Sequence, residues 1–136
     1  MLFVDTSAFL ALVNEKDKNH IAAAEFIDDI KFGRANVRRI ITSDYIIDET
    51  LTGIRYSMGH REAVQWGKDI LASKVVEKME VDEEIFDLAW ELFETYKDKK
   101  LSFTDCTSFA IMKKRGIGRA FSFDGDFKSM GFALLP

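Results

Sequence analysis

Leu2-Phe3-Val4 is an apolar run of strand-forming residues that stops at Asp5, and the small hydroxyl residues Thr6 and Ser7 then open an apolar helix reaching Val13. This pattern reads as a buried strand feeding a helix through an acidic turn. In an open parallel sheet ligands bind in the crevice outside the carboxyl ends of the strands, so Asp5 stands where a site is expected. Taken alone, it is equally readable as the N-cap of the helix, because Asp is among the best capping residues.

The same event recurs. Arg38 to Ser43 reads as a second strand ending at Asp44, which is expected to cap a helix running through Tyr45 to Ile54; Glu49 falls one turn in. Asp48 points about 100° away from Glu49 on a helix, so only one of the two is expected to face a site. Leu101 to Ala110 opens another helix, where Ser102 and Asp105 have capping-box spacing with Asp in place of the usual Glu or Gln. Arg119 to Phe123 is a further strand, ending at Asp124-Gly125-Asp126, a sequence suited to a turn. Each acid therefore has a local structural explanation. Their shared placement, at strand exits or in first helical turns, carries more: in a doubly wound sheet Asp5, Glu49, Asp105 and Asp124 converge on one rim.

Between these junctions, His20 to Phe32 is an amphipathic helix ended by Gly33, with His20 expected at the surface. His60 to Ala72 is a helix carrying Trp66. Val75 to Val81 alternates like an edge strand, and Asp82 caps a long helix. Along that helix Ile85, Phe86, Ala89, Trp90, Leu92, Phe93 and Tyr96 form a stripe wider than a one-sided core contact needs, which points to dimerisation or a partner helix. Both Trp residues are read as core or interface rather than as base-stacking platforms. Lys113-Lys114-Arg115 suits the negative end of its helix, and Phe132 to Leu135 supplies a last short strand.

At 136 residues and 47% hydrophobic, the chain fits one domain, 1–136, with a packed core and no linker or repeat. A net charge of −4 removes the global basic footprint of a protein that wraps nucleic acid without metal. Clustered carboxylates would themselves make the sum more negative, so a nuclease stays compatible with it. No basic leader followed by an apolar stretch and no membrane-length run is present, which gives the expectation of a cytoplasmic protein with no membrane partner. Cys106 is the sole cysteine; it excludes an internal disulfide and a Cys-rich zinc site, and it is expected to pack as a small apolar residue.

Four carboxylates gathered without Arg or His partners in their motifs repel one another. A hard divalent cation with a preference for oxygen ligands, Mg²⁺ or Mn²⁺, resolves that repulsion. The implied chemistry is metal-assisted hydrolysis of a phosphodiester.

Phe3-Val4-Asp5-Thr6-Ser7-Ala8, Ser43-Asp44-Tyr45 through Asp48-Glu49-Thr50, Leu101 to Asp105 with Ala110, and Ala120 to Phe127 followed by Gly131-Phe132 together resemble the PIN-domain ribonucleases, and among them the toxins of VapBC toxin–antitoxin pairs. The resemblance runs over essentially the whole chain. It implies a three-layer α/β/α sandwich around a parallel sheet of four or five strands, endoribonuclease activity on single-stranded RNA, one or two Mg²⁺ or Mn²⁺ ions, a homodimer, and a cognate antitoxin whose tail covers the acidic groove. Carried over by position, Asp5, Glu49, Asp105 and Asp124 form the acidic quartet, with Asp5 and Asp105 expected on the principal metal. Asp126 is a secondary candidate. Thr6, Ser7 and Ser122 match hydroxyl positions that orient carboxylates or water. Basic groups for RNA would include Arg38, Arg39, Lys113, Lys114 and Arg115.

Three rivals share parts of this pattern. A phosphoryl-accepting receiver domain needs an acid pair after its first strand, where this chain has Thr6 and Ser7. A haloacid-dehalogenase-type phosphatase needs a second Asp two residues after the first, where this chain has Ser7. An RNA-binding or assembly module that keeps the fold and metal site without turnover has the same sequence features.

Overall fold

The computed structural model describes residues 1–136. Five short strands, β1 (Leu2–Val4), β2 (Ile40–Ser43), β3 (Val76–Met79), β4 (Arg119–Phe121) and β5 (Ala133–Leu135), form one sheet in the order β3-β2-β1-β4-β5. All four pairings are parallel, in registers that include Leu2 with Ile40 and Phe3 with Ala120. Parallel neighbours need crossovers, and seven helices supply them: α1 (Thr6–Val13), α2 (His20–Lys31), α3 (Asp44–Ser57), α4 (His60–Ala72), α5 (Glu83–Thr95), α6 (Phe103–Arg115) and α7 (Asp126–Ser129).

The chain steps outward from β1 to β2 to β3 and then returns past β1 to β4. Right-handed crossovers therefore lay α1 to α4 on one face and α5 and α6 on the other, the expected three-layer sandwich. Helix pairs α1–α3 and α3–α4 touch on the first face and α5–α6 on the second. Close approach of α1 and α3 depends on Gly53, where an added Cβ would meet Leu10 Cδ2 at 3.2 Å.

Burial follows the parallel-sheet rule that central strands are apolar on both faces. Leu2, Phe3, Val4, Ile41, Ala120 and Phe121 are buried, and Phe109 and Phe127 meet edge-to-face at 5.0 Å beneath them. Strand β3 lies at the edge, as its mixed composition predicts. Trp66 packs against Phe9 at 5.2 Å, whereas Trp90 stays 49% exposed.

Two local expectations are corrected. Ser43, not Asp44, caps α3: its Oγ accepts from the Ile46 N–H, while Asp44 Oδ1 accepts from the Val81 N–H at 3.0 Å and so ties the start of α3 to the turn after β3. His20 is half-buried rather than fully at the surface, with Nδ1 2.7 Å from the carbonyl of Ala11, so that nitrogen carries the proton and joins α2 to α1.

Candidate metal centre at the carboxyl rim of the sheet

Asp5 leaves β1 with its backbone N–H on the carbonyl of Phe121, which fixes it between the two central strands. Its carboxylate caps α1 and is buried to 4% exposure. One oxygen, Oδ2, collects three donors: the Ser7 N–H at 3.3 Å, Ser7 Oγ at 2.8 Å and Ser122 Oγ at 2.9 Å. Each hydroxyl has a single proton and spends it on Asp5, so the 3.1 Å approach of the two Oγ atoms is contact without a shared proton.

The same hydroxyls accept from the opposite strand exit. Ser7 Oγ takes the Phe123 N–H and Ser122 Oγ takes the Asp124 N–H, so Asp124 is placed by the residues that hold Asp5. Asp124 Oδ1 then accepts from the Asp126 N–H at 2.9 Å, closing the Asp-Gly-Asp turn. Across the rim, Asp105 sits in the first turn of α6 in a complete capping box: its N–H donates to Ser102 Oγ at 3.0 Å and its Oδ2 accepts from the Ser102 N–H at 2.9 Å. The capping reading and the site reading of Asp105 are therefore compatible.

One oxygen each from Asp105, Asp124 and Asp126 lie within 4.8 Å of one another, and all three residues are half-buried. None of the five candidate acids takes part in an ion pair. Burial holds the Asp5 carboxyl above its usual range, with the hydrogen bonds from Ser7 and Ser122 pulling the other way. Asp105 is pushed up to about 6, first by burial and then by the charges of Asp5 and Asp124, against the opposing bonds to Ser102. A carboxylate set with unmet negative charge, convergent hard oxygens and no Arg or Lys partner fits a divalent cation. Burial and the neighbouring Asp105 push the Cys106 thiol up to about 11, which removes it as a nucleophile.

Glu49 is half-buried one turn into α3, outside the aspartate trio. Helix α3 touches α6, so the two helices carrying Glu49 and Asp105 meet. Asp48 is exposed. The Thr6 hydroxyl, beside Asp5, is buried without a hydrogen-bond partner, as is that of Thr50, beside Glu49.

Asp126, ranked second from sequence, is thus brought into the closest group of acids. The signal was present as Asp-Gly-Asp, in which the first Asp holds the third residue's N–H. The basic candidates lie elsewhere. Arg38 and Arg39 precede the amino end of β2, and Lys113 to Arg115 end α6 about 12–15 Å along its axis from Asp105 at the usual helical rise. Arg39 and Arg115 both pair with Glu77, and Lys114 pairs with Glu84.

Comparison with known proteins agrees with this architecture. The family model described as PIN domain matches residues 2–133. A protein named 23S rRNA-specific endonuclease VapC20, from Mycobacterium tuberculosis, is 37% identical over 132 residues, covering 97% of this chain and 95% of its own. The crystal structure of that organism's VapC20, described as a Sarcin-Ricin loop cleaving toxin, superposes with a TM-score of 0.85 at 36% identity and covers 98% of this chain and 97% of its own. VapBC2 from Rickettsia felis, solved with a DNA fragment from its promoter, gives a TM-score of 0.70 at 14% identity over 98% of this chain and 97% of that one, and shares the fold.

Proposed function

This chain belongs to the PIN-domain family, and from that premise we propose that it is a metal-dependent endoribonuclease acting as the toxin of a type II toxin–antitoxin pair. The observation that carries the reading is the convergence of Asp105, Asp124 and Asp126 within 4.8 Å, beside the buried Asp5 whose charge reaches Asp105. No helix is long and apolar enough to cross a membrane.

In this proposal Asp5, Asp105, Asp124 and Glu49 hold one or two ions, Mg²⁺ or Mn²⁺, with Asp126 joining the set. When bound, such a cation lowers the pKa of a water and offsets the charge that builds on the phosphodiester. The chain's own residues prepare the place. Ser7 and Ser122 fix the Asp5 carboxylate and, through their acceptor lone pairs, the backbone N–H groups of Phe123 and Asp124 respectively. Ser102 fixes Asp105. Apolar packing behind them keeps the carboxylates partly desolvated, which strengthens their hold on a cation.

The name of the 37% identical relative makes large-subunit ribosomal RNA the first substrate to try. A cytoplasmic location, residues 1–136 acting as one unit, a homodimer, and silencing by a cognate antitoxin complete the proposal. Incubation of the purified protein with ribosomal RNA and with a mixed RNA pool, in Mg²⁺, in Mn²⁺ and in EDTA, tests it. Discrete cuts that require the cation are expected. Intact RNA in all three conditions, alongside cation-dependent RNA binding, would replace the nuclease by a binding module.

A further inference from the structure

Two of the loops that lead into strands bring cations to one hollow. Arg38 and Arg39 close the loop before β2 and Lys74 precedes β3; with Glu77 and the apolar side chains of Ile40 and Val76 they line a cavity of about 340 Å³. It opens at the amino ends of β2 and β3, where Ile40 pairs with Val76. The length of β2, about 13 Å for its 4 residues, separates it from the acidic rim.

The acid that lines this hollow is already engaged. Glu77 Oε2 accepts from Arg39, and Oε1 accepts from Arg115 Nη2 at 3.3 Å, so each carboxylate oxygen holds a guanidinium. The bond from Arg39, above all, keeps the Glu77 carboxyl below its usual range and therefore ionised. Arg38 and Lys74 are exposed and have no acid partner. Single unpaired cations are ordinary on a surface. Here three positive side chains converge on one cavity whose carboxylate is taken twice over, and the unmatched charge attracts an anion.

Both loops are held before any ligand arrives. Arg119, the first residue of β4, donates through Nη1 to the carbonyl of Ala35 at 3.3 Å and through Nη2 to that of Asn36 at 2.9 Å. Asn36 turns the chain there with φ 47°, a left-handed geometry that Asn adopts more readily than most residues. Ser73 Oγ accepts from the N–H groups of Val75 and Val76 at 3.3 and 3.2 Å, which closes the turn around Lys74. A backbone already fixed beneath the two free cations lowers the ordering cost of binding. Donors arriving from two loops suit a phosphate, whose several oxygens accept from Arg and Lys at once.

We propose that this pocket binds a phosphate group, carried either by the RNA that reaches the acidic rim or by a free nucleotide. The RNA source rests on the nuclease reading above; the pocket does not.

Backbone amide NMR in metal-free buffer, with inorganic phosphate and then a nucleoside 5′-monophosphate as probes, tests it. Both are expected to move the signals of Arg39, Lys74 and Val75 and to leave that of Asp124 in place. Arg38→Gln combined with Lys74→Gln spares both bonds to Glu77, so the remaining spectrum should be kept while the response to phosphate is lost. A single-stranded RNA that displaces phosphate from these amides identifies the strand as the source. The double variant then lowers the slope of log affinity against log salt by about 1.4, at about 0.7 for each of two contacts. RNA that leaves the phosphate-shifted signals where they are identifies the free nucleotide. Wild-type signals that do not move, or that move equally in the double variant, would overturn the pocket. RNA left uncut by a protein that passes the phosphate test would remove the nuclease reading and leave the pocket standing.

Discussion

Ser122 Oγ donates to Asp5 Oδ2 at 2.9 Å across 117 residues of sequence, and the same oxygen accepts the Asp124 N–H at 3.0 Å. One hydroxyl thus couples the two strand exits that the central pair β1–β4 brings together. Ser122→Ala should leave the buried Asp5 carboxylate with one donor fewer, at a cost of about 2 kcal/mol for a bond to a charged group. Supporting bonds of this kind are worth roughly 10- to 100-fold in metal affinity. Cleavage titrated with Mn²⁺ should show half-activity moved upward by that factor, with much of the maximal rate regained at high Mn²⁺. An unchanged titration would mean that Ser7 alone suffices.

Stability without metal should fall as pH rises. Asp5 and Asp105 both have folded-state pKa values raised above their ordinary ones, Asp105 to about 6. The folded protein then binds these protons more tightly than the unfolded chain, so the contribution of Asp105 is fully present below its ordinary value near 3.8 and is lost as pH climbs through about 6. Thermal melts in EDTA should show Tm falling between about pH 4 and pH 7, and added Mn²⁺ should restore it at pH 7. Asp105→Asn should flatten the profile. A variant with the wild-type slope would place the titration elsewhere.

Thr50 offers a test of packing next to Glu49. Its hydroxyl is fully buried and lacks a partner, a condition that carries a desolvation cost. Thr50→Val keeps the shape and removes the polar atom, so it should stabilise the fold by about 1 kcal/mol, measured by urea denaturation. Destabilisation would reveal an ordered water or a bond that Thr50 makes in solution.

Removing charge at the far rim should matter little to the chemistry. Arg38→Ala and Lys113→Ala alter groups far from the aspartates, so the maximal cleavage rate should stay within about twofold while the salt dependence of RNA binding becomes shallower if the groups touch phosphate. A loss of maximal rate in either variant would show that RNA spans both rims.

The parallel sheet was legible because its strands are short, apolar on both faces and punctuated by capping residues. Asp82 and the Ser102–Asp105 pair behave as their sequence contexts predict. The strand positions are right, while their ends run long by one or two residues: Val75 to Val81 contracts to Val76–Met79, and Arg38 to Ser43 begins at Ile40. Propensity does not see where ladder pairing stops. Asp44 was harder to place, because Ser43 and Asp44 are both good caps and the choice rests on the Val81 N–H, a partner 37 residues away. The sequence pointed to one acidic rim but not to its inner order. Asp126 enters the tight group through a turn geometry that an Asp-Gly-Asp string suggests without fixing, whereas Asp5 turns one oxygen inward to two serines. His20 could not be placed because its partner is a backbone carbonyl, which sequence does not advertise.

The most direct test of the central claim is cleavage of end-labelled ribosomal RNA by the wild-type protein and by Asp105→Asn, in Mn²⁺ and in EDTA. Asp105 is the acid that feels both Asp5 and Asp124, and Asn keeps a side-chain oxygen for the Ser102 capping bond, so the fold should survive the substitution. Discrete cuts by the wild type that disappear in EDTA, and fall at least a thousandfold in the folded variant, are the expected result. Equal cutting by the wild type and Asp105→Asn would contradict the assignment of this acidic rim as the catalytic centre.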